Sequence, residues 1–409
     1  MRLVFFSLLP YALSQGNPCP PPPNASVASR SCGNSLCFSG AFDNFGVLQR
    51  SPSRAAYYGA TGAPPEPGVP IVLSIVGTLD DGTTPYNKSF TTMSLADGTW
   101  KVLLDPMPVG GDFTTTVSCC GGKSAVVRNQ TFGEVLIFTG QSNMGTGSPL
   151  AHNFARNATY ASLASGRYSR VALWASPDGG GVPFPREELG NWITGSFGGF
   201  TRLAPTLRLG ELDGFASMPL LTAMALSDVW AEEGGVAPPL GVYATAVGGT
   251  NLEAWAPYTA ALGCVNATCM CSDNWVQQCS VYTPLENRSY CGCNGMLFAR
   301  QIQPLVNTTV GAIMWWQGEN ACMFTGGNSA LGTGYSCVLP RMFAAWRALW
   351  SVEPNTTPAT VPVGVVLLAD GTDSNVPGNL GNINRALTAN FGSLSACSAL
   401  PPPRCPTPT

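Results

Sequence analysis

The sequence predicts a mixed α/β protein in which a small all-β region precedes a larger domain with a mainly parallel sheet. From Gly133 onwards, apolar runs of strand length alternate with longer segments of helical spacing, which is typical of a parallel sheet covered on both faces. Before that point the apolar runs are short and are separated by glycine, proline and Asp-Gly turns. A chain of 409 residues is long enough for two such domains.

The N-terminal segments predict secretion. Residues 1–14 combine a basic start, an apolar run and small residues at Ala12 and Ser14, as in a signal peptide, and a proline-rich linker over 15–41 follows. Fifteen cysteines and eight Asn-X-Ser/Thr sequons favour the same lumenal route, to a secreted or lysosomal glycoprotein. The sequons lie at Asn24, Asn87, Asn129, Asn157, Asn266, Asn287, Asn307 and Asn355.

Six of the cysteines crowd into a stretch between Cys264 and Cys293 that has little regular pattern. An oxidising compartment and the lack of paired C-x-x-C spacing favour a disulfide-stapled loop over a zinc site made of cysteines alone. The odd total leaves at least one thiol unpaired within the chain, which indicates an intermolecular bond or a partner cysteine missing from the sequence.

A small β domain is predicted over residues 42–131. Runs such as "VPIVLSIVG" and "DGTWKVLLDP" have the length, turn punctuation and β-branched content of strands. No useful window there has helical periodicity, and none of its residues has the character of a catalytic group.

The larger domain is predicted over residues 132–396, and a proline-rich tail that we expect to be disordered occupies 397–409. Its helices are "MPLLTAMALSDVWAEEGG", which ends in a glycine pair suited to a C-cap, and "LPRMFAAWRALW". Its strands are "EVLIFTG", "RVALWAS", "LGVYATAVGG", "VGAIMWWQGE" and "VGVVLLADG".

Composition excludes some classes of partner. Only 11% of the residues are charged and the net charge is −3, which is too little positive charge to hold a nucleic-acid backbone. After the N-terminal segment, no stretch is apolar over the ~18 residues that a membrane-spanning helix needs. We therefore expect no nucleic-acid partner and no membrane span.

Polar and glycine residues follow three of the predicted strands directly. Ser142 comes after "VLIFTG", Gly248 and Gly249 come after "VYATAV", and Gln317 and Glu319 come after "GAIMWW". Ligands of open parallel sheets bind beyond the carboxyl ends of the strands, so we expect these three loops to converge on one cavity.

These residue types suit acyl transfer without a metal or an organic cofactor. Ser142 would attack the carbonyl carbon of an ester. Its own backbone N–H, an N–H of Gly248 or Gly249 and the side-chain amide of Gln317 would bind the oxyanion, and one such donor is typically worth ~10²–10³ in rate. Glycine lets the backbone approach the substrate closely because it has no Cβ.

The segments "GQSNM", "GGTNLEAW" and "WWQGEN", in this order, resemble the SGNH-type hydrolases, and most closely the sialate O-acetylesterases. The segments "FDNFGVLQR", "DGTWKVLLDPM" and "NGMLFARQIQPL" are also similar to that family, so the likeness covers approximately residues 42–392. The resemblance implies a small β domain before a three-layer α/β/α hydrolase domain. It also implies removal of O-acetyl groups from sialic acids or related sugars.

The resemblance carries roles over to individual residues. It makes Ser142 the nucleophile, Gly248 or Gly249 and Gln317 the oxyanion hole, and Glu319 a structural or acid-orienting group. Acetyl groups on xylan or other polysaccharides are alternative substrates within the superfamily.

The base that takes the serine proton is the point at which the chain departs from the family. The family's base is a histidine near the C-terminal end of the hydrolase domain, whereas the single histidine of this chain is His152. Three explanations stay open at this stage. The sequence is an incomplete version of an active enzyme, or it is a glycan-binding pseudoenzyme without a base, or His152 itself is the base.

Overall fold

The computed structural model describes part of the chain. Sequence predictions that fall outside the described residues concern the signal peptide, His152, the Gly248-Gly249 pair, the cysteine-rich stretch and the proline-rich tail. The described residues are 32, 34–145, 156–175, 199–203, 215–247, 250, 252–261, 295, 297–319, 334–368, 383–384 and 387.

Antiparallel strands dominate the N-terminal part of the described chain. They are β1 Cys37–Phe38, β2 Val47–Gln49, β3 Ala56–Ala60, β4 Pro70–Thr78, β5 Pro85–Met93, β6 Thr99–Leu103 and β7 Gly110–Ser118. Strands β1, β3 and β6 form one antiparallel sheet, and β5, β4 and β7 lie side by side in a second. Disulfides join Cys32 to Cys37 and Cys119 to Cys120.

The next strand, β8 Ser124–Gly140, links the two parts of the molecule. Its first half pairs antiparallel with β7, while its second half pairs parallel with strands of the larger sheet. The short β2 runs parallel to the middle of β8, from Thr131 to Gly133. The predicted division between residues 131 and 132 therefore lies inside a continuous strand.

The larger sheet continues from β8 with parallel neighbours. The remaining strands are β9 Val171–Ala175, β10 Gly199–Arg202, β11 Leu240–Ala246, β12 Ala312–Trp316 and β13 Val363–Val365. Their spatial order is β9, β11, β8, β12, β13, all parallel, and β10 pairs antiparallel with β9. All five strands predicted from "EVLIFTG" onwards are confirmed, although β13 is shorter than predicted.

The two helices predicted from periodicity are also present. The helices are α1 Ser142–Gly145, α2 Arg156–Ala164, α3 Ser217–Gly234, α4 Leu252–Trp255, α5 Tyr258–Ala261 and α6 Gly334–Trp350. A π-helical turn at Phe298–Ile302 and a 3₁₀ turn at Gln303–Leu305 lie between α5 and β12. None of the helices in the described part of the chain is long and apolar enough to span a membrane.

The second half of β8 buries side chains on both faces of the sheet. Ile137 packs in the cluster that contains Trp346 of α6, while Phe138 packs in the cluster that contains Leu220 of α3. This arrangement agrees with the parallel sheet covered on both faces that the sequence predicts. The α6 cluster also reaches into the N-terminal strands through residues such as Phe132 and Tyr57, so the core is continuous along β8.

Candidate active site

The three loops that carry the predicted site residues leave the sheet side by side. Strand β8 lies between β11 and β12, and its last residue, Gly140, is in register with both Ala246 and Trp316. The carboxyl ends of the three strands are therefore level. The segments that follow them start within one or two strand spacings of each other, about 5–10 Å.

Gly140 lets the chain turn from β8 into the loop that carries Ser142. Its φ is +145°, and a Cβ at this position would lie 2.0 Å from the carbonyl oxygen of Trp316. Two backbone hydrogen bonds extend the ladder past the strand end: Gln141 donates to the Trp316 oxygen at 2.9 Å, and Val247 donates to the Gly140 oxygen at 3.1 Å. Any other residue at 140 would force the strands apart at the place where Ser142 is positioned.

Ser142 is the first residue of α1 and is partly exposed. The carbonyl oxygen of Gln141 accepts from the N–H groups of Met144 at 2.9 Å and Gly145 at 3.1 Å, which closes the turn around the serine. The fully buried Met144 side chain anchors this turn in the α3 cluster. Ser142 therefore lies at the start of a closed and anchored turn, just after the end of β8.

Glu319 holds the residues on either side of Ser142. One of its carboxylate oxygens accepts from the side-chain amide of Gln141, and the other accepts from the side-chain amide of Asn143. The Glu319 side chain is buried, and its described partners are neutral amides rather than a cation. Burial of a carboxylate without a cation costs free energy. The two hydrogen bonds offset this cost in part, and they fix the positions of the residues on either side of Ser142.

Gln317 connects the end of β12 to the loop that follows β11. Its Nε2 donates to the carbonyl oxygen of Thr250 at 2.7 Å. Since a carbonyl oxygen can only accept, this contact fixes which end of the amide is the nitrogen. The Nε2 has a second hydrogen, and the Oε1 is buried with no hydrogen-bond partner among the residues that the structure describes.

A second layer of hydrogen bonds fixes the amide and its acceptor. The Thr250 hydroxyl accepts from Trp255 Nε1 at 2.9 Å and donates to the carbonyl oxygen of Val247 at 3.0 Å. On the other side, the Tyr335 hydroxyl donates to the carbonyl oxygen of Gln317 at 2.9 Å. The Gln317 side chain is therefore supported through Thr250 from the end of β11 and from α4, while the Gln317 backbone is supported from α6.

Sequence reasoning identified part of this arrangement. Ser142, Gln317 and Glu319 follow adjacent strand ends, as the sequence predicts, while Gly248 and Gly249 lie outside the described residues between Val247 and Thr250. Their catalytic roles stay predictions.

Three residues with a structural part in the site were missed: Gln141, Asn143 and Thr250. The sequence did contain a signal for Gln141 and Asn143. Side-chain amides on both sides of a serine can each donate a hydrogen bond to one oxygen of a single carboxylate. Thr250 carried no comparable signal. Among the described residues, no group of three or more His, Cys, Asp or Glu side chains is arranged to hold a metal ion.

Comparison with solved structures identifies the class of fold. The chain is similar to a carbohydrate acetylesterase from Xanthomonas citri, with a TM-score of 0.58 and 21% sequence identity over 86% of this chain and 65% of that one. At this level of identity the likeness concerns the fold. No protein-family model matches the sequence.

Comparison of sequences identifies the particular relatives. The chain is 27% identical to a rat protein named sialate O-acetylesterase, over 90% of this chain and 66% of the rat protein. The human protein of the same name is 25% identical over 89% of this chain and 63% of its own length. The chain thus spans about two thirds or slightly less of the curated relatives that it matches. The resemblance to the sialate O-acetylesterases is confirmed.

Proposed function

We propose that this protein is a carbohydrate esterase that removes O-acetyl groups from sialic acids or related sugars, with Ser142 as the nucleophile. The observation that carries the proposal is the convergence of three strand-end loops around Ser142, with Glu319 bound to the residues on both sides of it. The relatives named sialate O-acetylesterase support the class of reaction and the class of substrate.

In the first step, the Ser142 oxygen attacks the acetyl carbonyl carbon and its hydroxyl proton passes to a base. The carbonyl oxygen becomes an oxyanion, which the backbone N–H of Ser142 and the second Nε2 hydrogen of Gln317 would bind together with an N–H of Gly248 or Gly249. The base returns this proton to the leaving sugar oxygen as the intermediate collapses, which releases the sugar hydroxyl and leaves an acetyl-enzyme. Water, whose proton passes to the same base, then attacks the acetyl-enzyme, and return of that proton to the serine oxygen releases acetate and restores Ser142.

Glu319 acts in this scheme as a positioning residue. Its carboxylate holds the side chains of Gln141 and Asn143, so the backbone between them, which carries Ser142, has little freedom to move. A fixed nucleophile lowers the entropic part of the barrier, and a misplacement of ~1 Å can cost about 10²-fold in rate.

Proton removal from Ser142 is the step that histidine usually performs, and no histidine lies among the described residues. His152→Ala tests one of the three explanations, namely that His152 is the base. If His152 is the base, this change removes most of the Ser142-dependent turnover, and added imidazole restores part of it. Turnover that is unchanged by His152→Ala would exclude that residue as the base.

The finer fold and the cellular route belong to the same proposal. We infer a three-layer α/β/α hydrolase domain preceded by a small β domain, supported by α3 and α6 on opposite faces of the parallel sheet and by the antiparallel strands before β8. We also infer a secreted or lysosomal glycoprotein, supported by the N-terminal segment and the sequons.

The decisive experiment compares Ser142→Ala with Ser165→Ala, a change of the same size at an exposed serine whose hydroxyl donates to the Ser162 carbonyl oxygen. We expect hydrolysis of 4-nitrophenyl acetate to disappear in the first variant and to persist in the second. A fluorophosphonate probe should label the natural protein and the Ser165 variant, but not the Ser142 variant. Equal labelling of all three would exclude Ser142 as the nucleophile.

Substrate class is tested by acetate release from O-acetylated sialic acid and from acetylated xylan, measured side by side. We expect the sialic acid to be the better substrate. Faster release from xylan would move the proposal to a polysaccharide esterase. Binding of the acetylated sugar that is equal in the natural protein and in Ser142→Ala, with no turnover in either, would replace the enzyme by a glycan-binding protein.

A further inference from the structure

A second concave site lies at the other end of β12 from Ser142. It is a groove of about 590 Å³, lined by residues of β3 and β6, by the end of α6 and by the turn over residues 306–309. This turn precedes the first residue of β12, whereas Ser142 lies beyond its carboxyl end. The five residues of β12 span ~16 Å, so the groove is separate from the candidate active site.

Large apolar side chains surround this groove and are open to solvent. Leu95 is 62% exposed, Leu349 is 40% exposed and Val352 is 73% exposed, and all three line the groove. Clusters of exposed apolar side chains in a concave site commonly mark a surface that something covers. Asp97 and the ion pair between Lys101 and Glu353 add polar groups to the lining.

Asn307, the acceptor residue of an Asn-Thr-Thr sequon, lines the same groove. The turn that carries it is fixed from both sides, because the Thr308 hydroxyl lies 2.9 Å from the Tyr58 hydroxyl and the Thr309 hydroxyl donates to the Arg54 carbonyl oxygen at 2.6 Å. Asn307 itself is partly exposed, and its side chain makes no hydrogen bond to the described residues.

Three other sequons have different surroundings. Asn87 lies on β5 and Asn355 lies in a turn, and both are exposed and line no part of the groove. Asn129 lies within β8, where its amide faces Asp112 at 3.5 Å. Of these residues only Asn307 combines an unengaged amide with an adjacent groove, so Asn87 is its natural control.

We propose that Asn307 carries an N-linked glycan whose first two N-acetylglucosamine residues lie in this groove and cover Leu95, Leu349 and Val352. The modification is the ordinary lumenal transfer: the amide nitrogen bonds to C1 of the sugar, the lipid diphosphate of the oligosaccharide donor leaves, and one amide proton is lost. The proposal rests on the predicted secretory route and not on the esterase activity.

The chemistry of this sugar pair matches the groove. The C–H faces of a hexose ring are apolar and suit aliphatic and aromatic walls, while the hydroxyl and acetamide groups suit a polar rim such as Asp97, Lys101 and Gln303. A disaccharide is the size of the drug-like ligands that commonly occupy pockets of ~300–1,000 Å³. Attachment at Asn307 supplies the pair at high effective concentration, so that weak contacts suffice.

The experiment uses the full chain secreted from a eukaryotic cell line, with glycopeptide mass spectrometry at each sequon. We expect Asn307 to be occupied. Peptide N-glycosidase should release its glycan from the native protein about tenfold more slowly than the glycan at Asn87, because release requires the sugar to leave the groove, and the two rates should become equal after denaturation. An unmodified Asn307, or equal native rates, would overturn the proposal.

Paired variants test the contact itself. We expect Asn307→Gln to lower the melting temperature by about 2–4 °C and to increase binding of a hydrophobic dye, while Asn87→Gln changes neither. If Asn307→Gln is not secreted, Val352→Glu replaces it, because that exposed side chain can change without loss of the fold.

Val352→Glu should speed native release at Asn307, whereas Val236→Glu, at a valine that is 67% exposed and does not line the groove, should leave the rate unchanged. A rate that is the same in both valine variants would show that the glycan does not lie over Val352.

Discussion

The two halves of β8 belong to one continuous strand but have different surroundings. In the first half Ser124, Val126 and Arg128 are exposed, while Ala125 is half-buried and Val127 is buried, so the burial alternates from Ser124 to Arg128. In the second half, from Gly133 to Gly140, every residue except the half-buried Glu134 is buried. The first half has solvent on one face, whereas the second half has packed side chains on both faces.

The neighbours of a strand decide which residue pattern the strand needs. Beside the antiparallel β7 an alternating pattern is enough, because only one face joins the core. Between the parallel β11 and β12 both faces are covered, which requires a continuous apolar run. The buried half is also the half that leads into Ser142, so the candidate site follows the part of the strand that is packed on both faces.

The largest effect should come from a matched pair of truncations, one in each half. Phe138 is fully buried, and Phe138→Ala should lower the free energy of unfolding by ~3–5 kcal/mol. Val126 is 36% exposed, and Val126→Ala should cost less than ~0.5 kcal/mol. Denaturant titration of both variants measures the difference, and equal costs would contradict the contrast between the halves.

The next effect concerns the end of the buried half, where Glu319 holds the turn that carries Ser142. Glu319→Gln leaves one acceptor for two amides, so the turn loosens and we expect kcat to fall by about 10²-fold with little change in KM. Glu353→Gln, at a partly exposed glutamate paired with Lys101, is the control and should leave kcat unchanged. A change in KM alone would assign Glu319 to substrate binding instead.

A smaller effect is expected at the junction between the halves. Glu134 accepts from Arg50 Nε at 2.7 Å and from Gln49 Nε2 at 2.8 Å, which ties β2 to the middle of β8. Because Arg50 is partly exposed, Glu134→Gln should cost no more than ~1 kcal/mol. High salt should weaken the natural protein more than the variant. A loss comparable to that of Phe138→Ala would show that the junction is a main source of stability.

The smallest effect lies in the hairpin between β4 and β5, on the solvated side of the molecule. Hydrogen bonds from Thr84, and then from the Thr83 backbone, lower the pKa of Asp81 from 3.8 to about 2. Because the pKa of Asp81 is lower in the folded protein than in the unfolded chain, the ionised carboxylate stabilises the fold above pH 3.8. This contribution is lost as the pH falls through about 2.

An NMR titration of the Asp81 carboxyl carbon checks this value. Thr84→Val removes the largest cause, so it should move the Asp81 pKa back towards 3.8. A pKa near 3.8 for Asp81 in the natural protein would contradict the prediction.

Local patterns in the sequence were enough to predict the elements of the larger sheet. The apolar runs that became β8, β11 and β12 have unambiguous strand length, and the spacing in α3 matches a helix with one buried face. The start of α6 was harder to place. The helix begins at Gly334 and continues through Pro340. Proline is disfavoured in the interior of a helix and tolerated in its first turn, so the sequence favoured a later start near Pro340.

Local sequence is enough to place Ser142, Gln317 and Glu319 after the ends of strands, because each follows an apolar run and periodicity is a property of neighbouring residues. The position of β8 between β11 and β12, and the contact of Glu319 with Gln141, 178 positions earlier in the chain, became visible only in the folded molecule. The two kinds of information differ in the range over which the interactions act. A strand or helix is specified within a few residues, whereas the order of strands depends on how the whole chain covers both faces of the sheet.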